Sequence, residues 1–422
     1  MNDFALHTSS LGIKYYTLTH RSGVRIYLIP KDLSSSYAIF GTRFGGADSE
    51  GFPEGIAHFL EHKLFANENG EDTDERFARV GAYSNAYTSS NGTAYLFSSS
   101  ENIYDALEVL IKSTLEPYFT AENVAKEQGI IAQEIKMYED EPGDALILAL
   151  LKGMYYKNPI RSSVVGTVES ISHITAESLF ECYRQNYDPA NMVLILSGRF
   201  ECNKVKEIVD RMLPSEEKEP LPLVIKYPDE PENVKDSRIV LRKVVSKPQF
   251  AIGIKDKLRV ESETERARTD AALEILCSAA FGASSAINTL LYEEGLISNL
   301  FGTFFDHTRQ GSHIIIEGFS ERYDEVYERL CAYFEEIKKN GIPSEDVERS
   351  RKVIYSRLVR SFDTVDEVGD NLFSSICAGS EFFDYPKILS SITKEEIDKL
   401  ACEIFQKEHY TLAVVLPLDT EE

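Results

Sequence analysis

Hydrophobic and polar residues alternate along 24–29 (Val-Arg-Ile-Tyr-Leu-Ile) and 37–44, and both stretches are rich in branched and aromatic residues. That pattern predicts two strands. Gly45-Gly46 and the stretch 49–53 make a loop, after which the period changes. Ile56, Phe59, Leu60 and Leu64 recur at helical spacing and predict a helix over 55–65. A second helix is predicted at 73–80, with Gly81 as its stop signal. Residues 83–88 and 93–98 alternate on either side of Asn91-Gly92, a hairpin signal. Helical spacing returns at 102–115, where Pro117 ends it, and again at 121–138 along Val124, Ile131, Ile135 and Tyr138. A strand is predicted at 193–196.

The segment 215–231 is dense in Glu, Lys and Pro and predicts an exposed connector. Beyond it come strands at 239–245 and 250–254, then helices at 270–281 and 286–294. A strand at 313–317, helices at 321–339 and 344–359, and a strand at 410–416 complete the chain. The order strand, strand, helix, helix loosely repeats that of 24–80. A length of 422 residues is too great for one typical core. The expected organisation is α+β, with a domain over 1–215, a linker at 216–236 and a second domain over 237–422.

A hydrophobic fraction of 43% and a charged fraction of 27% are those of an ordinary globular protein. A net charge of −24 argues against sequence-blind nucleic-acid binding and is compatible with basic peptides as ligands. The six cysteines are scattered, without a C-x-x-C pair, and read as reduced, mostly buried thiols. The first twenty residues lack the apolar core of a signal peptide, and apolar runs such as 411–418 are strand-sized. No membrane partner and a cytoplasmic location are expected.

The chemistry lies in the first helix. His58, Glu61 and His62 stand at i, i+3 and i+4, on one face. Two imidazoles a turn apart can reach one tetrahedral zinc, with the carboxylate beside the open position. The chain has only eight histidines, and this H-x-x-E-H motif uses two. A third ligand is needed. On the helix at 121–138, Glu127 and Glu134 are two turns apart on nearly one face, next to the apolar stripe. This predicts His58, His62 and Glu134 as the ligands of one Zn2+ per chain. Glu61 is the expected general base, and Glu127 the acceptor that orients a ligating imidazole. A solvated helix carboxylate is the plain alternative for Glu134. His307 and His313, around a predicted turn, read as structural or surface residues.

Gly-Ile-Ala-His-Phe-Leu-Glu-His at 55–62, followed by Glu127-x6-Glu134, resembles the pitrilysin and insulysin (inverzincin) metallopeptidases. Within that family the chain is most similar to half-size bacterial relatives of mitochondrial processing peptidase. Asn85-Ala86-Tyr87-Thr88 and Tyr187-Asp188-Pro189-Ala190-Asn191-Met192 carry the likeness further. The resemblance implies two homologous domains, each a mostly antiparallel sheet packed against helices, facing each other across a cavity. It also implies zinc endopeptidase activity, with Asn85, Ala86, Tyr87 and Thr88 on an edge strand that holds substrate backbone. In active relatives the second half lends an Arg and a Tyr around a Gly-Leu-x-Tyr stretch. The matching residues 295–301 (Gly-Leu-Ile-Ser-Asn-Leu-Phe) hold no tyrosine, and Arg309 is a candidate substitute that its spacing does not single out. That departure implies a dimer, either of identical chains or with a zinc-less homologue that supplies the missing groups. A chain inert alone, or a non-catalytic assembly subunit, is the alternative. A zinc lyase acting on a ribosyl thioether shares a similar helix, but it is a single small domain.

Overall fold

The computed structural model describes residues 3–65, 73–260 and 262–418. Contacts divide the chain into two units. The first is Met1–Ile135 with Ser163–Val224 and Val359–Asp384; the second is Lys136–Ser162 with Ile225–Leu358 and Tyr385–Glu422. Each unit is built on one sheet.

In the first unit the strands are β1 (Ala5–Thr8), β2 (Lys14–Thr19), β3 (Arg25–Pro30), β4 (Ser36–Thr42), β5 (Ala82–Thr88), β6 (Thr93–Ser99) and β7 (Met192–Gly198). They form one sheet in the order β1-β2-β3-β7-β4-β6-β5, so β5 is an edge. All neighbours are antiparallel except β3 and β7. Alternation and the Asn91-Gly92 turn thus predict five of these strands to within two residues. The helices α1 (Ile56–Leu64), α2 (Thr73–Arg79), α3 (Ile103–Leu115) and α4 (Ala121–Asp140) also fall where their periodicity puts them. β4 is buried along its whole length, because both of its faces are covered. Ala38 and Phe40 join the core with α1 and α3, while Tyr37, Ile39 and Gly41 alternate to the other face.

Residues 139–186 and 360–409, to which the hydrophobic pattern assigns no element, hold further helices. These include α5 (Pro142–Met154), α6 (Val168–Ser172) and α7 (Ala176–Asn186), followed by α8 (Cys202–Met212). The second unit continues with β8 (Arg238–Lys243), β9 (Gln249–Lys255), α9 (Glu263–Phe281), α10 (Ala286–Glu293), β10 (Gly302–Thr308) and β11 (Gly311–Phe319). Then come α11 (Tyr323–Asn340), α12 (Ser344–Ser361), α13 (Val365–Ala378), α14 (Tyr385–Ser391), α15 (Lys394–Ile404) and β12 (Tyr410–Pro417). Its sheet runs β8-β12-β9-β11-β10, with only β8 and β12 parallel. That order and those directions repeat β3-β7-β4-β6-β5. The suspected repeat is therefore a repeat of topology.

The two compact units are not the contiguous halves expected from the sequence. α5 lies on β8, β9 and β12 of the second sheet, and α13, from late in the chain, lies on β4 and β7 of the first. Each exchanged helix sits close through a pair of glycines. A Cβ on Gly253 would run into Met154 of α5, and one on Gly153 into Ile239 of β8. In the first unit a Cβ on Gly41 would lie 2.6 Å from the Phe373 ring of α13, and one on Gly369 would lie 2.9 Å from the Tyr37 ring.

The connector holds no helix or strand between Met212 and Arg238, as expected, but it is anchored. The Glu230 carboxylate accepts from the N–H groups of Tyr156 (2.6 Å), Lys157 (2.8 Å) and Asn158 (3.0 Å) and from Lys255 Nζ at 3.0 Å. The helical stretch Glu263–Glu293 is long and apolar enough to reach across a bilayer, contrary to the strand-sized runs expected. It breaks at 282–285, and α9 is buried in the second core, so it reads as a core helix.

Gly41→Ala tests the close seat of α13. The new methyl would also lie 2.7 Å from the Thr93 carbonyl oxygen, which cannot swing away. A loss of about 1–3 kcal/mol is expected from a lowered urea midpoint. An unchanged midpoint would show that the helix has room to move.

Candidate metal centre

α1 starts at Gly55, whose φ is +90° and whose Cβ position would lie 2.6 Å from the Val165 carbonyl oxygen. Only glycine serves there. Ile56, Ala57, Phe59, Leu60 and Leu64 then bury one side of this nine-residue helix in the first core. The remaining face carries His58, Glu61 and His62. α4 crosses it with Val124, Ile131 and Ile135 buried, which turns Glu127 and Glu134 toward the histidines.

His58, His62 and Glu134 come together, with one ligand-type atom from each lying within 4.8 Å of the others. His58 Nε2 is 3.5 Å from Glu134 Oε1, and His62 Nε2 is 3.4 Å from Glu134 Oε2. The two imidazoles stand edge to face, 4.6 Å between centroids. A tetrahedral zinc at about 2.0–2.2 Å from its ligands separates them by about 3.3–3.6 Å. The two histidine-to-carboxylate separations fall in that range, one to each oxygen of Glu134, and two nitrogens with one carboxylate are a catalytic-type donor set. The residues present fit a zinc ion.

Around this triangle the charges are uneven. His62 Nδ1 is 3.1 Å from Glu127 Oε1, and Lys63 Nζ is 3.3 Å from Glu127 Oε2. The first contact puts the His62 proton on Nδ1 and turns Nε2 toward Glu134. Burial works against a charged Glu127, but the His62 and Lys63 hydrogen bonds win and hold its pKa below the usual carboxylate value. Burial also disfavours a proton on His62, yet the Glu127 hydrogen bond and the charges of Glu61, Glu127 and Glu134 raise its pKa. The same negative potential attracts a divalent cation, which displaces that proton on binding. His58, more deeply buried and beside His62, is pushed down to about 4 and keeps its lone pair. Its Nδ1 has no hydrogen-bond partner among the described residues, unlike that of His62.

Glu61 is drawn aside. Burial raises its pKa, opposed by a hydrogen bond of 2.5 Å from the Thr88 hydroxyl to Oε2. Thr88 ends β5, the edge strand on which 85–88 was expected. Asn85 Oδ1 accepts from Ala86 N–H at 2.9 Å, so the Ala86 backbone faces the free edge rather than β6. By alternation the Ser84 and Thr88 backbones face outward with it, and those of Asn85 and Tyr87 face the ladder. The Tyr87 side chain is committed elsewhere, with its hydroxyl 3.3 Å from Asp370 Oδ1 of α13.

Sequence reasoning passed over Lys63 and Asp370. Lys63 adjoins the motif, and that adjacency was the available signal; the structure adds its burial against Glu127. Asp370 has none, being about three hundred residues away in sequence.

In the second unit His307 and His313 are buried, not superficial. His307 Nδ1 is 2.5 Å from Asp270 Oδ1, and His313 Nδ1 is 3.2 Å from the Tyr155 hydroxyl. Residues 295–300 line an open cleft of about 630 Å³ with Val244, Lys247, Phe319 and Arg322. Arg309 is buried in the turn between β10 and β11.

Residues 46–168 match the family model described as insulinase (peptidase family M16), and residues 173–354 match the one described as the peptidase M16 inactive domain. The chain is 33% identical to the uncharacterized zinc protease YmfH of Bacillus subtilis, over 95% of this chain and 97% of that protein. It is 25% identical to a second uncharacterized zinc protease of that organism, YmxG, over 96% and 98%. Among solved structures it resembles one described as an M16-like peptidase from Alicyclobacillus acidocaldarius, with a TM-score of 0.91 and 31% identity over 99% of both chains. A protease from Helicobacter pylori shares the fold, at a TM-score of 0.84 and 19% identity over 96% of this chain and 100% of that one. With its site geometry, its doubled sheet topology and these similarities, the chain belongs to the M16 (insulinase) family of peptidases as a half-size member.

Proposed function

We propose that this protein is a zinc endopeptidase that hydrolyses extended peptides or unfolded segments. The observation that carries the reading is the convergence of His58, His62 and Glu134 beside Glu61, a carboxylate that is not part of the donor triangle. When bound there, zinc supplies a water acidified to a pKa of about 7 and polarises the scissile carbonyl. Glu61 accepts the proton of the attacking water and passes it to the leaving amine. The outward backbone groups of Ser84, Ala86 and Thr88 take an extended chain by strand addition, which selects for extension more than for sequence. Glu127 and Lys63 fix the orientation of His62. Six cysteines without a disulfide suit a reducing compartment such as the cytoplasm, and the charge of −24 favours basic substrates.

A second reading keeps the same chemistry but makes the chain dependent on a homologous partner. The observation behind it is the stretch Gly295 to Phe301, which lacks a tyrosine, with Arg309 buried away in its turn. A dimer with an identical or a zinc-less chain would then complete the substrate site.

Cleavage of a mixed peptide set by the zinc-loaded chain, with Glu61→Gln as control, tests the first reading. Wild-type cleavage and a loss of about 10²-fold or more in the variant, with zinc retained, is expected. Equal cleavage by both would reject Glu61 as the base, and silence in both with stoichiometric zinc favours the partner-dependent reading. Glu127→Ala is expected to weaken zinc about 10- to 100-fold in competition with a chelator. Unchanged affinity would remove Glu127 from the site.

A further inference from the structure

Glu61 has three rotatable bonds, and a general base works only if its carboxylate waits in one place. The 2.5 Å contact from Thr88 Oγ1 to Glu61 Oε2 is the length of a charge-assisted O–H···O⁻ hydrogen bond. A hydroxyl has a single proton, so Thr88 donates to Oε2, and Oε1 is left to receive another. Thr88 itself is held from several sides. It pairs with Thr93 at the end of the β5–β6 ladder, and Ser89 N–H closes the turn on the Gly92 carbonyl at 2.8 Å. On the opposite face of β5, Tyr87 places its ring edge-on to Phe373, 6.3 Å between centroids, and its hydroxyl on Asp370. Asp370 Oδ1 also accepts from the Tyr37 hydroxyl at 2.8 Å, which ties β4, β5 and α13 together.

We propose that Thr88 is a positioning residue for Glu61, set at its height by the exchanged helix α13 through Tyr87 and Asp370. This assignment rests on the peptidase reading and goes beyond the backbone role expected of residues 85–88. The hydroxyl holds one carboxylate oxygen so that the other faces the water. A late segment of the chain therefore contributes to the placement of a base in the early one, within the first unit.

Thr88→Val tests it, since valine keeps the shape and β preference of threonine and removes only the hydroxyl. Crystals of the zinc-loaded wild type, Thr88→Val and Thr88→Ser are compared alongside their kinetics. In Thr88→Val the Glu61 carboxylate is expected to leave its wild-type position or spread over several. The value of kcat is expected to fall by about 10²-fold, with KM for an extended peptide within about two-fold of wild type. Thr88→Ser, which keeps the donor, is expected to restore both the position and most of kcat. A Glu61 carboxylate unmoved in Thr88→Val overturns the proposal, as does a raised KM with unchanged kcat, which would make Thr88 a substrate contact. If the wild type cleaves no peptide, the reading of a self-sufficient peptidase falls alone. The position of Glu61 in the Thr88→Val crystal still decides the role of Thr88.

Discussion

Three carboxylates, Glu61, Glu127 and Glu134, share a half-buried space with two imidazoles, and one lysine is the nearest fixed cation. Such a cluster needs more positive charge than Lys63 and one proton can give. Against the cost of burial, the Glu127 hydrogen bond and the nearby carboxylates raise the pKa of His62, and burial raises that of Glu61. A divalent cation at the His58–His62–Glu134 triangle would supply that charge. The apolar sides of α1 and α4 hold this imbalance in place, since neither helix can turn away without exposing its buried stripe.

The rest of the first unit serves that placement. The sheet gives α1 a floor, and its edge strand β5 sends Thr88 under Glu61. The far face of the sheet is covered by α13, seated through Gly41 and Gly369. The second unit repeats the strand order and receives α5 in return, seated through Gly253 and Gly153. It does so without the histidine motif. Of its buried histidines, His307 sets Nδ1 against Asp270 and His313 sets Nδ1 against the Tyr155 hydroxyl, which marks these two as parts of its interior.

Much of this was legible in the residues. The switch from alternation to helical period located α1, and the i, i+3, i+4 spacing put its polar atoms on one face. The two-turn spacing of Glu127 and Glu134 beside an apolar stripe announced the carboxylate that joins the two histidines, and its neighbour. Asn91-Gly92 announced the hairpin, and so the edge strand. Long-range pairing was not legible. α5 and α13 have ordinary apolar periods, and no local feature says which sheet a helix covers. Contiguous halves were therefore expected where segments are exchanged. For the same reason Asp370 and its tie to Tyr87 had no signal. The hydroxyl contact of Thr88 with Glu61 depends on a side chain's direction at the end of a strand, which spacing does not encode.

The proposed activity depends above all on a metal held by two imidazoles and one carboxylate, with Glu61 beside it and not among its ligands. Anomalous diffraction at the zinc edge from crystals of the zinc-loaded chain tests this most directly. One peak at about 2.0–2.2 Å from His58 Nε2, His62 Nε2 and a Glu134 oxygen, with Glu61 outside that distance and still on Thr88, is the expected result. No peak at the triangle, or a peak with Glu61 as a ligand, would contradict it.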